Sequence, residues 1–306
     1  PSKIGKIAGF EDETAPQVPM TPSTFAMEAL SLYLQEQPGN SLLQSAVRGF
    51  VQMHQDYLNT ANSGGGSFSY YFDRPVGGGA GGEQGVTYIY PVFIQGRAAY
   101  GLLNAYQQTG STVALSVARS LIYFLQYWSA SYNGGKALLP PTSAGGVFTD
   151  HIYSQEQGIK ALIEDARIRI AAGDTAGGGV AASELTQANQ MYQYIISATN
   201  AGAVGNFGET GTSGEMVRIA IALSELGVGN YYDQAEYWTR NQLAESQLGV
   251  SSTIGWNSTI GGMFWSDATH PLSIPTNNKN YRYNVDGSAN VMLAMSDVWD
   301  HIVTTK

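Results

Sequence analysis

Apolar residues recur three and four positions apart along most of the chain, a spacing that predicts helices rather than strands. Residues 1–20 are the exception: they show neither period, and Pro16, Pro19 and Pro22 crowd their end, so they read as an extended arm. A first helix is predicted from near Ser23 through Phe25, Ala29, Leu30, Leu32 and Tyr33, stopping at Pro38-Gly39. Asn40-Ser41 is a good N-cap pair for a second, which carries Leu43, Val47, Phe50, Val51, His54 and Leu58. Residues 62–87 are Gly-rich yet hold Tyr70-Tyr71-Phe72, aromatics that a flexible linker rarely carries. They are predicted to form a long loop packed over one end of the domain.

One phrase then repeats: an apolar helix ends at a glycine turn, and another helix follows at once. Ile94, Ala98, Leu102, Ala105 and Tyr106 share a face that ends at Thr109-Gly110, and Ser111 caps a helix with Val113, Val117, Leu121, Phe124, Leu125 and Trp128. Ile159, Leu162, Ile163 and Ala166 lead to Gly173-Asp174 and a helix with Leu185, Met191, Tyr192 and Ile195. Met216, Ile219, Ala220, Leu223 and Leu226 lead to Gly227 and a helix with Ala235, Trp238 and Leu243; a last helix covers roughly 288–302. The turns near residues 39, 110, 173 and 228 recur about every 55–70 residues, too far apart for helical arrays of about 34 residues. They fit helical hairpins stacked around an axis. The expected fold is all-α, an α/α toroid with nine helices, thus an incomplete six-hairpin ring or a smaller one. It occupies residues 21–306 as one domain, and its helix-poor stretches 131–149 and 249–285 lie as loops on one rim.

Composition narrows the function classes. A net charge of −9 over 306 residues argues against binding nucleic-acid phosphates. The absence of cysteine excludes disulfides, thiolate metal sites and cysteine nucleophiles. Charged residues make up 13%, about half the usual share. With 37 Gly and 19 Tyr, that suits a polar extracellular protein. The opening Pro1-Ser2-Lys3 reads as a processed N-terminus, and Asn257-Ser258-Thr259 matches a glycosylation acceptor. No stretch reaches the roughly 18 apolar residues of a membrane helix. No P-loop, dinucleotide fingerprint or serine-nucleophile elbow occurs. His54 and His270 lack ligand spacing, so no metal and no cofactor is expected.

The run from Gly208 to Leu248 resembles the core of six-hairpin toroids related to β-L-arabinofuranosidase-type glycoside hydrolases. The matching residues are Glu209-Thr210-Gly211 for a Glu-Thr-Cys motif, then Tyr232-Asp233, Glu236 and Asn241-Gln242-Leu243 on the following helix. Tyr90 to Gly110 is similar to an earlier hairpin of the same ring, and Asp150-His151 to Asp174 to the hairpin where relatives often show paired histidines. Gly261 to Trp265 and Asp286 to Asn290 sit where relatives have a Gly-rich turn and a Cys-Cys helix start. The resemblance implies the toroid fold and a sugar-acting ancestry. It also implies that the family's zinc–thiolate site is lost, because Gly211 and Asp286-Gly287 stand near its cysteines. The β-sandwich domains that often follow the toroid are not found before Lys306.

Glu209 is the first candidate for acid/base work, a carboxylate just before a helix start; it also fits a loop carboxylate stabilised by the helix dipole. Thr212-x-x-Glu215 matches a capping box, which by itself accounts for Glu215. Asp150, His151 and Glu156 cluster before a helix and can orient a proton-transferring imidazole, or Asp150 can simply cap. Asp286 can pair with Glu209, or Asp286-Gly287 can be a turn; a glycosidase pair needs about 5–9 Å between carboxyls. Trp256, Trp265, Tyr70, Tyr71, Tyr88 and Tyr90 lie in or beside predicted rim loops and suit either stacking on sugar rings or a subunit contact. Two functions follow. One is a secreted carbohydrate-active protein, a metal-independent glycoside hydrolase if catalytic, with a glycan as partner. The other is a non-catalytic extracellular structural subunit that self-assembles into filaments or layers through residues 1–20 and the rim loops.

Overall fold

The computed structural model of the chain describes residues 20–63, 66–70, 93–127, 140, 143, 146, 152–199, 210–246 and 285–304. The chain forms two compact units, Pro1–Ala188 and Asn189–Lys306. Among the described residues the first unit holds α1 (Met20–Glu36), α2 (Ser41–Asp56), β1 (Asn59–Ser63), β2 (Gly66–Tyr70), α3 (Phe93–Thr109), α4 (Thr112–Tyr127), α5 (Ile152–Ala171) and the start of α6 (Val180–Thr199). The second holds the rest of α6, α7 (Thr210–Glu225), α8 (Tyr232–Trp238) and α9 (Val285–Thr304). Between α8 and α9, Thr239–Leu243 forms a π-helical turn directly continuing α8.

The hairpin joints follow from their residues. Gly110, Gly173 and Gly227 take φ of +67°, +98° and +69°, the left-handed conformation that ends a helix and that side chains resist. The next helices are capped by side chains. Asn40 Oδ1 accepts from the Leu42 and Leu43 amides at 3.1 and 3.2 Å, Ser111 Oγ from Ala114 at 3.3 Å, and Asp174 Oδ2 from Ala181 at 3.0 Å. Within the stretch 62–87, predicted as a loop, the described residues 62–63 and 66–70 are strand. β1 and β2 pair antiparallel, from Asn59 opposite Tyr70 to Ser63 opposite Gly66, and β2 lies against α4.

Within the first unit α3 is central, flanked by α1 and α5, and it also packs on α4 and α2. Helix α2 has one buried stripe, Val47, Phe50, Val51 and His54, opposite exposed Ser45, Arg48, Gln52 and Gln55. Helices α3 and α5 differ: every residue from Gln95 to Ala105 and from Gln155 to Ala166 is buried. A helix buried all round needs small residues where its neighbours cross it. A Cβ at Gly96 would lie 2.6 Å from the Gly158 amide nitrogen, and one at Gly101 would lie 2.9 Å from the end of the Met27 side chain. The α3–α5 crossing is therefore a backbone-to-backbone contact. Gly96→Ala is expected to destabilise the fold by about 1–3 kcal/mol through overpacking, even though alanine is the better helix former. Urea unfolding measures this, and an unchanged or raised midpoint would show that the crossing can open.

In the second unit α7 packs on α9 and α8, and residues Thr210 to Val217 are all buried. A Cβ at Gly214 would lie 3.0 Å from the Asn290 carbonyl, so α7 and α9 also cross in close contact. Tyr192, Tyr231 and Trp238 form an aromatic cluster, with ring centroids 5.0 Å (Tyr192–Tyr231) and 6.2 Å (Tyr192–Trp238) apart. The Tyr192 and Tyr231 hydroxyls donate to Gln234 and Asn189. Burial, with Tyr231 beside it, raises the Tyr192 phenol far above its ordinary value, so it stays a donor.

Candidate functional site

The close crossings gather polar side chains at the early turns of the buried helices. Thr24 and Glu28 lie one turn apart on α1. Arg97 and Tyr100 are three positions apart on α3, and Tyr153, Glu156 and Lys160 share one face of α5. Arg97 Nη1 donates to Glu28 Oε2 at 3.2 Å, and Lys160 Nζ lies 3.5 Å from Glu28 Oε1. The other Arg97 terminal nitrogen hydrogen-bonds the Tyr153 hydroxyl, with the guanidinium 5.3 Å from that ring's centre. Lys160 Nζ sits 4.3 Å over the Tyr100 ring, a cation–π contact. Arg97 is 1% exposed and Glu156 not at all. Ionic side chains reach such depth only when paired and hydrogen-bonded. Glu156 lies on the same face of α5 as Tyr153 and Lys160 and is likewise buried.

A second polar group lies within the second unit. Thr210, Thr212, Ser213 and Glu215 occupy the first turns of α7, all buried. Ser213 hydrogen-bonds Gln242, which the π-helical turn carries. Arg218 Nη1 donates to Glu215 at 3.2 Å, and its Nε to Asp297 of α9 at 3.1 Å. This corrects the capping-box reading: α7 has begun by Thr210, so Thr212 lies inside the helix, and Glu215 is a buried ion-pair partner. At the other end of α7, His301 Nε2 lies 2.8 Å from Glu225 Oε1, and Nδ1 lies 2.6 Å from the Asp297 carbonyl. Partial burial disfavours the imidazolium, but those two acceptors outweigh it and raise the pKa.

Most residues singled out by the sequence fall elsewhere. Glu209, Asp150, His151, Trp256, Trp265, Tyr71, Tyr88 and Tyr90 lie outside the described residues, as do residues 1–19 of the arm. Tyr70 ends strand β2 rather than sitting in a loop, and Asp286 is the second residue of α9 rather than part of a turn; the side chains of both are outside what is described. Of the cluster around residue 150, Glu156 is described, wholly buried. His54 is buried and uncharged: burial lowers its pKa to about 3. Sequence reasoning missed Glu28, Arg97, Tyr153 and Lys160. The available signal was Arg97 within the small and apolar run of α3, and Lys160 between Ile159 and Ala161 of α5.

Two solved structures share this arrangement of helices. A GH76 α-mannanase from Bacteroides thetaiotaomicron is similar over 99% of this chain and 76% of its own, with a TM-score of 0.56 at 15% identity. A cellobiose 2-epimerase from Spirochaeta thermophila is similar over 94% of this chain and 71% of its own, with a TM-score of 0.61 at 13% identity. The fold is an α/α toroid. It is of the six-hairpin, glycosidase-like class that the resemblance implied, and the expected all-α architecture holds with the β1–β2 hairpin added. At such identities the likeness establishes the fold, and arabinofuranosidase specificity does not follow from it. No protein-family model matches the chain. No curated protein sequence matches it either. Among the described residues no helix is long and apolar enough to cross a membrane.

Proposed function

We propose that the protein acts on a neutral glycan, with Glu156 as the proton-transferring carboxyl and the Glu28–Arg97–Lys160–Tyr153 group as its rigid support. The observation that carries this is the burial of two carboxyls and two cations at the early turns of crossing helices, in a fold whose solved neighbours are named for mannan and cellobiose. Cleaving a glycosidic bond and inverting a sugar carbon both require a positioned group that gives and takes a proton. A carboxyl in a low-dielectric setting is suited to that task. A chain with 15 Lys and Arg against 24 Asp and Glu fits uncharged sugars better than uronic acids, which call for a surplus of cations. Secretion, suggested by the low charge and the many Gly and Tyr residues, belongs to the same reading.

The test is incubation of the full chain with neutral manno- and gluco-oligosaccharides, reading products by proton NMR. New reducing ends identify a hydrolase and a changed sugar configuration an epimerase. No product and no saturation-transfer signal from any of the sugars would overturn the reading.

A further inference from the structure

A further charged group, farther along α5 than Glu156, joins α4, α5 and α6. Asp165 of α5 has a side chain with no exposure, and two arginines hold it. Arg119 Nε of α4 donates to Oδ1 at 2.9 Å; Arg169 of α5 reaches Oδ2 with Nε and Nη2, both at 2.9 Å. Glu184 of α6 is 2% exposed and has one cation contact, Arg169 Nε at 3.3 Å, the same nitrogen that already serves Asp165. The other groups nearby take little part. On α5 Glu164 pairs with Arg167 and accepts from Gln107 of α3, while Gln187 of α6 and Gln126 of α4 form a neutral hydrogen bond.

The two carboxyls are therefore unequal. Asp165 has three charge-assisted contacts. Glu184 is buried beside that negative charge with one longer contact, so a proton bound by the pair resides on Glu184 and hydrogen-bonds Asp165. We propose that Glu184 and Asp165 form a proton-gated latch, which holds the start of α6 on α4 and α5 while Glu184 is protonated and loosens when that proton passes to solvent.

The electrostatics agree with this geometry. Burial first, and the Asp165 charge second, push the Glu184 carboxyl from its usual 4.5 up to about 8, with Arg169 opposing. The folded value is raised above the unfolded one. The stabilisation is thus fully present below about pH 4.5, declines from there, and is lost as pH rises through about 8. A neutral glutamine at 184 keeps the hydrogen bond to Asp165 without the proton dependence.

The experiment is urea unfolding of the full chain and of Glu184→Gln between pH 5 and pH 9. Between pH 6 and pH 8 the unfolding constant of the wild-type chain is expected to rise by about tenfold or more relative to the variant, since each pH unit inside the window contributes up to tenfold. Parallel profiles would overturn the latch. Carbon NMR of the wild-type chain with labelled glutamate carboxyls tests it without any variant. One resonance is expected to titrate near pH 8, and a full set titrating in the ordinary acidic range would overturn it.

Discussion

Glu28→Gln is expected to remove about 3–5 kcal/mol of stability, because it leaves two buried cations without their shared carboxylate. Arg97 and Lys160 both converge on Glu28, at 3.2 and 3.5 Å, from helices whose surroundings admit almost no water. Glutamine keeps the size and can still accept a hydrogen bond, so the loss isolates charge from packing. The companion Arg97→Met removes one of the two cations that converge on Glu28 and is also destabilising. Combining the two is expected to cost less than the sum, since each removes the charge that the other leaves unanswered. Urea denaturation of the four proteins measures the coupling. A Glu28→Gln loss below about 1 kcal/mol would show a solvated cluster, energetically like surface ion pairs.

How much of this was legible depended on where the signal lay. Joints were readable because glycine and capping residues act locally. Gly110, Gly173 and Gly227 adopt the left-handed turn their positions implied, and Asn40 and Ser111 cap as their chemistry suggests. One-sided helices such as α2 were readable because their pattern has a polar face. Helices α3, α5 and α7 were harder. Their apolar faces were visible, but Gln155-Glu156-Gln157 and Thr210-Gly211-Thr212-Ser213 look like solvent-facing sequence, and only tertiary neighbours bury them. For Thr212 and Glu215, a capping pattern competed with an i,i+3 ion pair inside α7, and that pair won because Asp297 of α9 also holds Arg218. The β1–β2 hairpin was unreadable for the opposite reason. Its strands are Asn, Gly and Ser rich and carry almost none of the β-branched residues that mark a strand.

The candidate site divides along the same line. Glu156 was reachable from its place after Asp150 and His151. Its supports were not, because Glu28, Arg97 and Lys160 lie on three helices dispersed over more than a hundred residues and meet only through the Gly96 and Gly101 crossings. A cation set among apolar neighbours in a helix does not specify its partner; it specifies only that one exists. Arg97, the one cation of α3, carried that message.

Glu156→Gln is expected to lower turnover of whichever glycan the wild-type chain processes by about 10²–10⁴-fold, the usual contribution of a positioned acid or base. Its effect on stability separates it from Glu28. A fully buried carboxyl is costly to keep, so a neutral isostere of equal size is expected to leave the unfolding midpoint unchanged or raise it. Lost turnover with retained stability is the signature of a group kept for chemistry, whereas a structural Glu156 would give the reverse. Full turnover in Glu156→Gln, measured on a substrate the wild-type chain converts, would remove the proton-transfer role and leave glycan processing intact. A wild-type chain inert toward every sugar would instead remove the processing itself. Should KM stay fixed while kcat falls, the carboxyl acts in the transition state; a rise in KM alone would make Glu156 a binding group.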